Sequence, residues 1–207
     1  MSFRITAETV LNGYCNGLFP MGEPGGRINW YSPDPRGVFP LDDRFHVPYT
    51  LKKVIRRGVF EIRLNTAFRD VIRECGTRGE GTWITPKIVD IYTTLHRAGY
   101  AHSVECWKDG QLAGGLYGVS IGAAFFGESM FHRMTDASKV ALVALVEQLR
   151  RRDYRLLDTQ WTTPHLQRFG AIDVPRDEYL EKLAAAIVLP RAFTDDAPVV
   201  GVSPEDG

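Results

Sequence analysis

Between Ser103 and Thr159 the chain follows a pattern that few folds can accommodate. Ser103 to Lys108 alternates as a strand, Asp109-Gly110 is a hairpin turn, and Gln111 to Val119 returns. Ser120-Ile121-Gly122 turns again, so that Ala123 to Glu128 forms a third antiparallel strand. A loop from Ser129 to Thr135 leads to an amphipathic helix from Asp136 to Arg152, with Val140, Ala141, Ala144, Leu145 and Leu149 on its apolar face. Tyr154 to Thr159 is a further strand. This order specifies an α+β domain built on a mixed sheet flanked by helices.

The flanking segments are punctuated by turn residues. Residues 6 to 15 read as a short helix with Thr6 as its N-cap. Gly17 to Gly26 is too rich in Gly and Pro for any regular element. Trp30 to Gly37 is a second rigid loop, its prolines bracketing Asp34, and marks the seam between a small N-terminal domain (1–34) and the main domain (35–190). The aromatics of these loops suit either a wedge against the core or a stacking surface for a base. Asn65 is expected to cap a helix from Thr66 to Cys75 that stops at Gly76. Thr85-Pro86 opens a stronger one, with Ile88, Ile91, Tyr92 and Leu95 at helical spacing and Gly99 ending it. Residues 191–207 turn acidic and read as a disordered tail.

At 207 residues, 44% of them hydrophobic, the chain can bury one sizeable core with a small appendage. No apolar run approaches the roughly 18 residues that span a bilayer, and Glu8 stands where a signal peptide would have an apolar centre. Cys15, Cys75 and Cys106 form neither a CxxC pair nor an even disulfide set, which fits a reducing cytoplasmic setting and offers no metal site. The formal net charge is zero, so the molecule as a whole has no pull on nucleic acid, DNA included. The distribution is uneven, however: from Arg44 to Arg78 nine bases face three acids. The run Lys52, Lys53, Arg56, Arg57 fits a solvated face or a patch that follows phosphates.

Three polar side chains stand at strand ends. Period-2 alternation puts Asp158 and Gln160 on one face of their strand, where a carboxylate and an amide can hold an amine or simply meet solvent. Glu128 closes a strand of small and aromatic residues, where it must be paired or exposed. Ser138 has no His at a recognisable spacing, which argues against a serine nucleophile. The start of the long helix, His132 to Asp136, lacks the glycines that cradle a pyrophosphate, which argues against coenzyme A as the acyl donor.

Seven blocks in order give the chain a family likeness. They are Gly17-Leu18-Phe19-Pro20, Trp30 to Arg36, Gly81 to Pro86, Leu95 to Glu105, Gly114 to Val119, Phe126 to Phe131, and Leu157-Asp158-Thr159-Gln160. Over most of its length, from about Tyr14 to Tyr179, the chain resembles the leucyl/phenylalanyl-tRNA–protein transferases. The resemblance implies an N-acetyltransferase-like fold, which the strand order also suggests by analogy. It implies transfer of Leu or Phe, and less well Met, from charged tRNA to proteins with N-terminal Arg or Lys, marking them for degradation. Leu116, Phe125, Leu145 and Leu149 would form the aminoacyl side-chain pocket. Trp83, with Tyr92 and Met21, would hold the 3′-terminal adenosine, although many members carry Trp where this chain has Met21. Glu128 would contact the aminoacyl end, Asp158 and Gln160 would handle the acceptor amine, and Lys52, Lys53, Arg56 and Arg57 would lie along the acceptor stem. An aminoacyl ester is already activated, so the reaction requires no cofactor or metal. The competing readings are a small-molecule N-acyltransferase of the same fold and a non-catalytic tRNA-binding module.

Overall fold

The Asp109-Gly110 turn joins Ala101–Lys108 to Gln111–Ile121, the longest strand among the described residues, and the rest of the sheet is assembled on this hairpin. The computed structural model describes residues 5–23, 25–77 and 81–195. In chain order the elements are α1 (Ala7–Cys15), β1 (Phe19–Gly22), β2 (Ile28–Tyr31), β3 (Arg36–Phe39), α2 (Tyr49–Arg56), β4 (Glu61–Leu64), α3 (Phe68–Gly76) and α4 (Pro86–Arg97). They continue as β5 (Ala101–Lys108), β6 (Gln111–Ile121), β7 (Ala124–His132), α5 (Ala137–Arg151), β8 (Leu156–Gln160), α6 (Pro164–Gln167), β9 (Ile172–Val174) and α7 (Arg176–Ile187). Among the described residues, seven strands form one mixed sheet in the order β4-β5-β6-β7-β8-β3-β9. Neighbouring strands are antiparallel except β7 and β8, which run parallel because α5 carries the chain back across the sheet.

Adjacent residues on the central strands serve opposite cores, as strand alternation requires. Tyr117, Phe126 and Leu156 join α1, α3, α4 and α7 in one apolar cluster. Leu116, Phe125 and Leu157 join α5 and α2 in the other. The helices thus cover both faces. No described helix is long and apolar enough to cross a membrane.

Two helix starts follow the sequence closely. The Thr6 side chain accepts from Thr9 N at 3.2 Å, and Thr85 caps α4 with Pro86 in its first turn. Three expectations are corrected. Gly17 to Gly26 is not devoid of regular structure: Phe19–Gly22 pairs with Ile28–Tyr31 as a two-stranded sheet that, with α1, makes a small N-terminal domain. Strand pairing wins there because Phe19 is buried in the core shared with the main sheet. Nor does Asn65 cap α3. Its side chain bridges Ser103 N (3.1 Å) and His102 Nδ1 (3.1 Å), and the fully buried Glu105 of β5 takes the Ala67 N–H at 2.8 Å just ahead of the helix. A carboxylate from a neighbouring strand satisfies the helix start in place of a local cap. Finally, residues 191–195, expected to belong to a disordered tail, are packed on the domain. Phe193 is buried between the rings of His102 and Phe125 (centroids 4.5 and 5.3 Å), and Gln148 donates to its carbonyl. Residues 196–207 lie outside the described residues.

Candidate active site

The two parallel strands part company where the polar residues begin. β7 and β8 pair only through Ala124–Leu156, Phe125–Leu157 and Phe126–Asp158. Each strand then carries a bulge. On β7 the register jumps from Gly118–Gly127 to Tyr117–Ser129, leaving Glu128 as the extra residue. On β8 it jumps from Val38–Asp158 to Gly37–Gln160, leaving Thr159 as the extra residue. Bulges bend strands and re-aim side chains, and these two open a cavity of about 360 Å³ between the strand ends.

The cavity lining is mostly apolar, with one cluster of polar groups. Phe39, Leu116, Met130, Leu142, Leu145, Leu157 and Leu166 supply the apolar wall, Glu128, Thr159 and Gln160 the polar groups, and Trp83 and Trp161 flat aromatic surface. Gly37 is required beside it, because a Cβ there would stand 2.6 Å from the Trp161 carbonyl carbon and 2.7 Å from Thr162 N. Of the side chains expected in the pocket, Leu116 and Leu145 line it. Phe125 and Leu149 do not; both are fully buried in the cluster behind α5 and the sheet. The sequence reading missed Phe39, Met130, Leu142, Leu157 and Leu166. Leu142 stands three residues before Leu145, one helical turn along α5, and Leu157 alternates with Asp158; both spacings were available as signals.

Glu128 and Gln160 meet in the cavity lining, with Gln160 Nε2 donating to Glu128 Oε1 at 3.1 Å. Tyr92 donates its hydroxyl to Glu128 Oε2 at 3.1 Å and is itself bonded to the Tyr14 hydroxyl at 2.5 Å. Tyr92 and Tyr14 are fully buried, so Tyr92 acts on Glu128 and offers no face for stacking an adenine. Burial pushes the Glu128 carboxyl up to about 7; the Tyr14 and Tyr92 hydroxyls pull it down, the Asp158 charge raises it, and Arg36 lowers it.

Asp158 does not stand beside Gln160 at the cavity wall. It is fully buried, and Arg36 grips it with Nε on Oδ1 (3.0 Å) and Nη2 on Oδ2 (2.7 Å). Tyr179 donates to Oδ2 and the Gln160 backbone N–H to Oδ1, each at 2.7 Å. The expected strand-face pair gives way because the Thr159 bulge puts Gln160 in a tight turn at φ 61°, closed by Trp161 N donating to Thr159 O at 2.7 Å. A non-glycine residue in that region is strained and persists only where its surroundings hold it.

The remaining expected contacts are spread around this centre. Trp83 lines the cavity and its carbonyl accepts from Gly22 N at 3.1 Å, tying β1 to the rim. Met21 is half-buried on β1 and does not reach the cavity. Lys52, Lys53, Arg56 and Arg57 are exposed along and just after α2, away from the cavity lining. Among the described residues none of the four is in an ion pair.

A largely apolar cavity whose lining carries a hydrogen-bonded carboxyl and amide, the carboxyl held up to about 7, is the candidate site for an apolar group. Residues 38–184 match the family described as leucyl/phenylalanyl-tRNA protein transferase, and residues 3–34 match that family's N-terminal domain. The chain is 54% identical over 190 residues to the leucyl/phenylalanyl-tRNA–protein transferase of Akkermansia muciniphila, covering 90% of this chain and 98% of that one. It is 51% identical over 193 residues to that of Herpetosiphon aurantiacus (93% and 100%), and 53% over 194 residues to that of Gloeobacter violaceus (93% and 100%). The chain belongs to the leucyl/phenylalanyl-tRNA protein transferase family and is an aminoacyltransferase of that kind.

Proposed function

We propose that this chain moves Leu or Phe, and less well Met, from its tRNA onto the α-amine of cytoplasmic proteins that begin with Arg or Lys, marking them for degradation. The observation that carries the reading is the Glu128–Gln160 pair in the wall of a largely apolar cavity sized for one large aliphatic or aromatic side chain. The aminoacyl side chain fills the space lined by Leu116, Leu145, Leu142 and Leu157, which brings its ester carbonyl to the Glu128–Gln160 pair. The terminal adenosine rests against Trp83, and the acceptor stem follows α2. The parallel β7–β8 pair, splayed after a helical crossover, supports an N-acetyltransferase-like fold.

The acceptor amine, with a pKa near 8, attacks the ester carbonyl carbon. A C–N bond forms, the bond to the ribose 3′-oxygen breaks, and the proton lost by nitrogen ends on that oxygen. Glu128, with a carboxyl pushed up to about 7, is suited to take the proton from the attacking nitrogen and return it to the leaving oxygen. Gln160 holds Glu128 by its N–H and presents its amide oxygen to the amine. Alignment can supply roughly 7–11 kcal/mol of the barrier, and a rigid pocket beside two held polar groups is built to align.

The test is to incubate the protein with radiolabelled Leu-tRNA and two peptides, one starting with Arg and one with Asp. Label on the Arg peptide alone is the expected result. Label on neither peptide, with the tRNA still retained on a filter, would instead indicate a binding module.

A further inference from the structure

We infer that Arg36 and Tyr179 are positioning residues for the transfer step: by gripping Asp158 they hold the strained Gln160 turn, and hence the Glu128–Gln160 pair, in its working geometry. The inference rests on the function proposed above. It departs from the expectation that Asp158 meets the acceptor amine, because both its oxygens are already occupied. Oδ1 accepts from Arg36 Nε and Gln160 N, and Oδ2 from Arg36 Nη2 and the Tyr179 hydroxyl. No face of the carboxylate is accessible to solvent, so a substrate amine cannot reach it without breaking this set.

The grip is unusually complete. The Arg36 guanidinium is 1% exposed and lies between the rings of Phe19 (4.8 Å) and Tyr179 (4.5 Å), which hold its plane as well as its charge. Its third nitrogen, Nη1, donates to the Gly17 carbonyl at 2.8 Å. One side chain therefore joins the N-terminal domain through Gly17 and Phe19, the C-terminal helix α7 through Tyr179, and the strand end through Asp158. Of the four donors on Asp158, the Gln160 N–H alone leads to the reaction centre. The Gln160 backbone is otherwise held by its register against Gly37 of β3 and by the turn it centres. A bidentate arginine fixes a carboxylate in both position and plane, and that plane decides where the Gln160 N–H must sit.

Tyr179→Phe tests the inference most cleanly, since it keeps the ring on the guanidinium and removes only one donor to Asp158. Single-turnover transfer is expected to fall by about tenfold or more, the size of one lost hydrogen bond to a charged group. Aminoacyl-tRNA affinity on filters should stay within about twofold, since the loss belongs to the reacting geometry. Arg36→Lys, which keeps the charge but not the fork, should retain more activity than Arg36→Met. The decisive comparison is the double variant with Gln160→Ala. If Tyr179 acts through Gln160, its substitution costs nothing further in that background. A full additional loss there would overturn the inference, as would a Tyr179→Phe enzyme that melts earlier yet transfers at the wild-type rate. Failure of the wild-type protein to label the Arg peptide would count against the transferase reading itself and remove this inference with it.

Discussion

Gln160 and Glu128 come from the two bulged strands that part at the cavity, and the 3.1 Å hydrogen bond between them spans the gap. The bond fixes the roles each can take. Gln160 gives its N–H to the carboxyl and keeps its amide oxygen for a donor from the substrate, while Glu128 retains a lone pair on Oε1 beyond those used by Gln160 and Tyr92. On the proposed reading, an incoming amine meets an acceptor to orient it and a base to unload it.

Glu128 predicts the pH dependence. Its carboxyl is held up to about 7, so the working carboxylate appears as pH rises through that value and transfer should rise with it. Glu128→Gln should lose that limb, keep only the later rise from the acceptor amine near 8, and run about 10²–10⁴-fold slower. Stability should move the other way. A carboxyl whose folded pKa lies above its free value of 4.5 favours the folded state while protonated, and that advantage is lost between 4.5 and about 7. Glu128→Gln should therefore raise the melting temperature above pH 7, the gain fading as pH falls toward 4.5. Melts across pH, alongside rate profiles, check both signs.

Tyr92→Phe gives a finer test of the same group. The Tyr92 hydroxyl donates to Glu128 and lowers its pKa, so removing it should move the rising limb to higher pH. Transfer at pH 6.5 should fall more than transfer at pH 8.5. A loss equal at every pH would mean that the hydroxyl serves packing only.

The cavity wall predicts substrate choice. Leu142 lines the cavity from α5, where a larger side chain intrudes on the space an aromatic acyl group would fill. Leu142→Phe should depress transfer of Phe more than that of Leu. The expected change in the ratio is about 10- to 200-fold, the range for one misplaced hydrocarbon group in an apolar pocket. Competition between Phe-tRNA and Leu-tRNA for one Arg peptide measures it directly.

The parts of this site legible in the sequence are those set by neighbours along the chain. The β5–β6 turn is fixed by Asp109-Gly110, α4 begins where Thr85-Pro86 says it should, and the polar residues at the ends of β7 and β8 are visible as breaks in apolar runs. The bulges at Glu128 and Thr159 are not local. They arise from the register against β6 and β3, and alternation alone put Asp158 and Gln160 in a common role. Arg36 stands 122 positions from Asp158, inside a segment that reads as a proline-bracketed loop. Likewise, Phe125 and Leu149 fit the apolar pattern as well as Leu142 and Leu157 do. Periodicity shows that a residue is buried, and only the splay of two strands decides which buried residues border a cavity.

The proposed path of the donor tRNA follows α2. Leu51 is buried, whereas Lys52, Lys53 and Arg56 are exposed on a helix with no acid in its first turn, and Lys53 Nζ sits 4.5 Å from the centre of the exposed Tyr49 ring. Because no acid on this helix competes for them, these charges are available to phosphate oxygens. Lys52→Glu with Lys53→Glu should weaken retention of Leu-tRNA and flatten its dependence on salt by about one logarithmic unit for each phosphate that is no longer neutralised. The cavity and the Glu128–Gln160 pair are untouched by these changes, so transfer at saturating Leu-tRNA should remain near the wild-type rate. Titrations at several salt concentrations, paired with single-turnover rates, separate the two effects. A falling rate with unchanged tRNA affinity would remove α2 from the donor path and assign it a part in the chemistry.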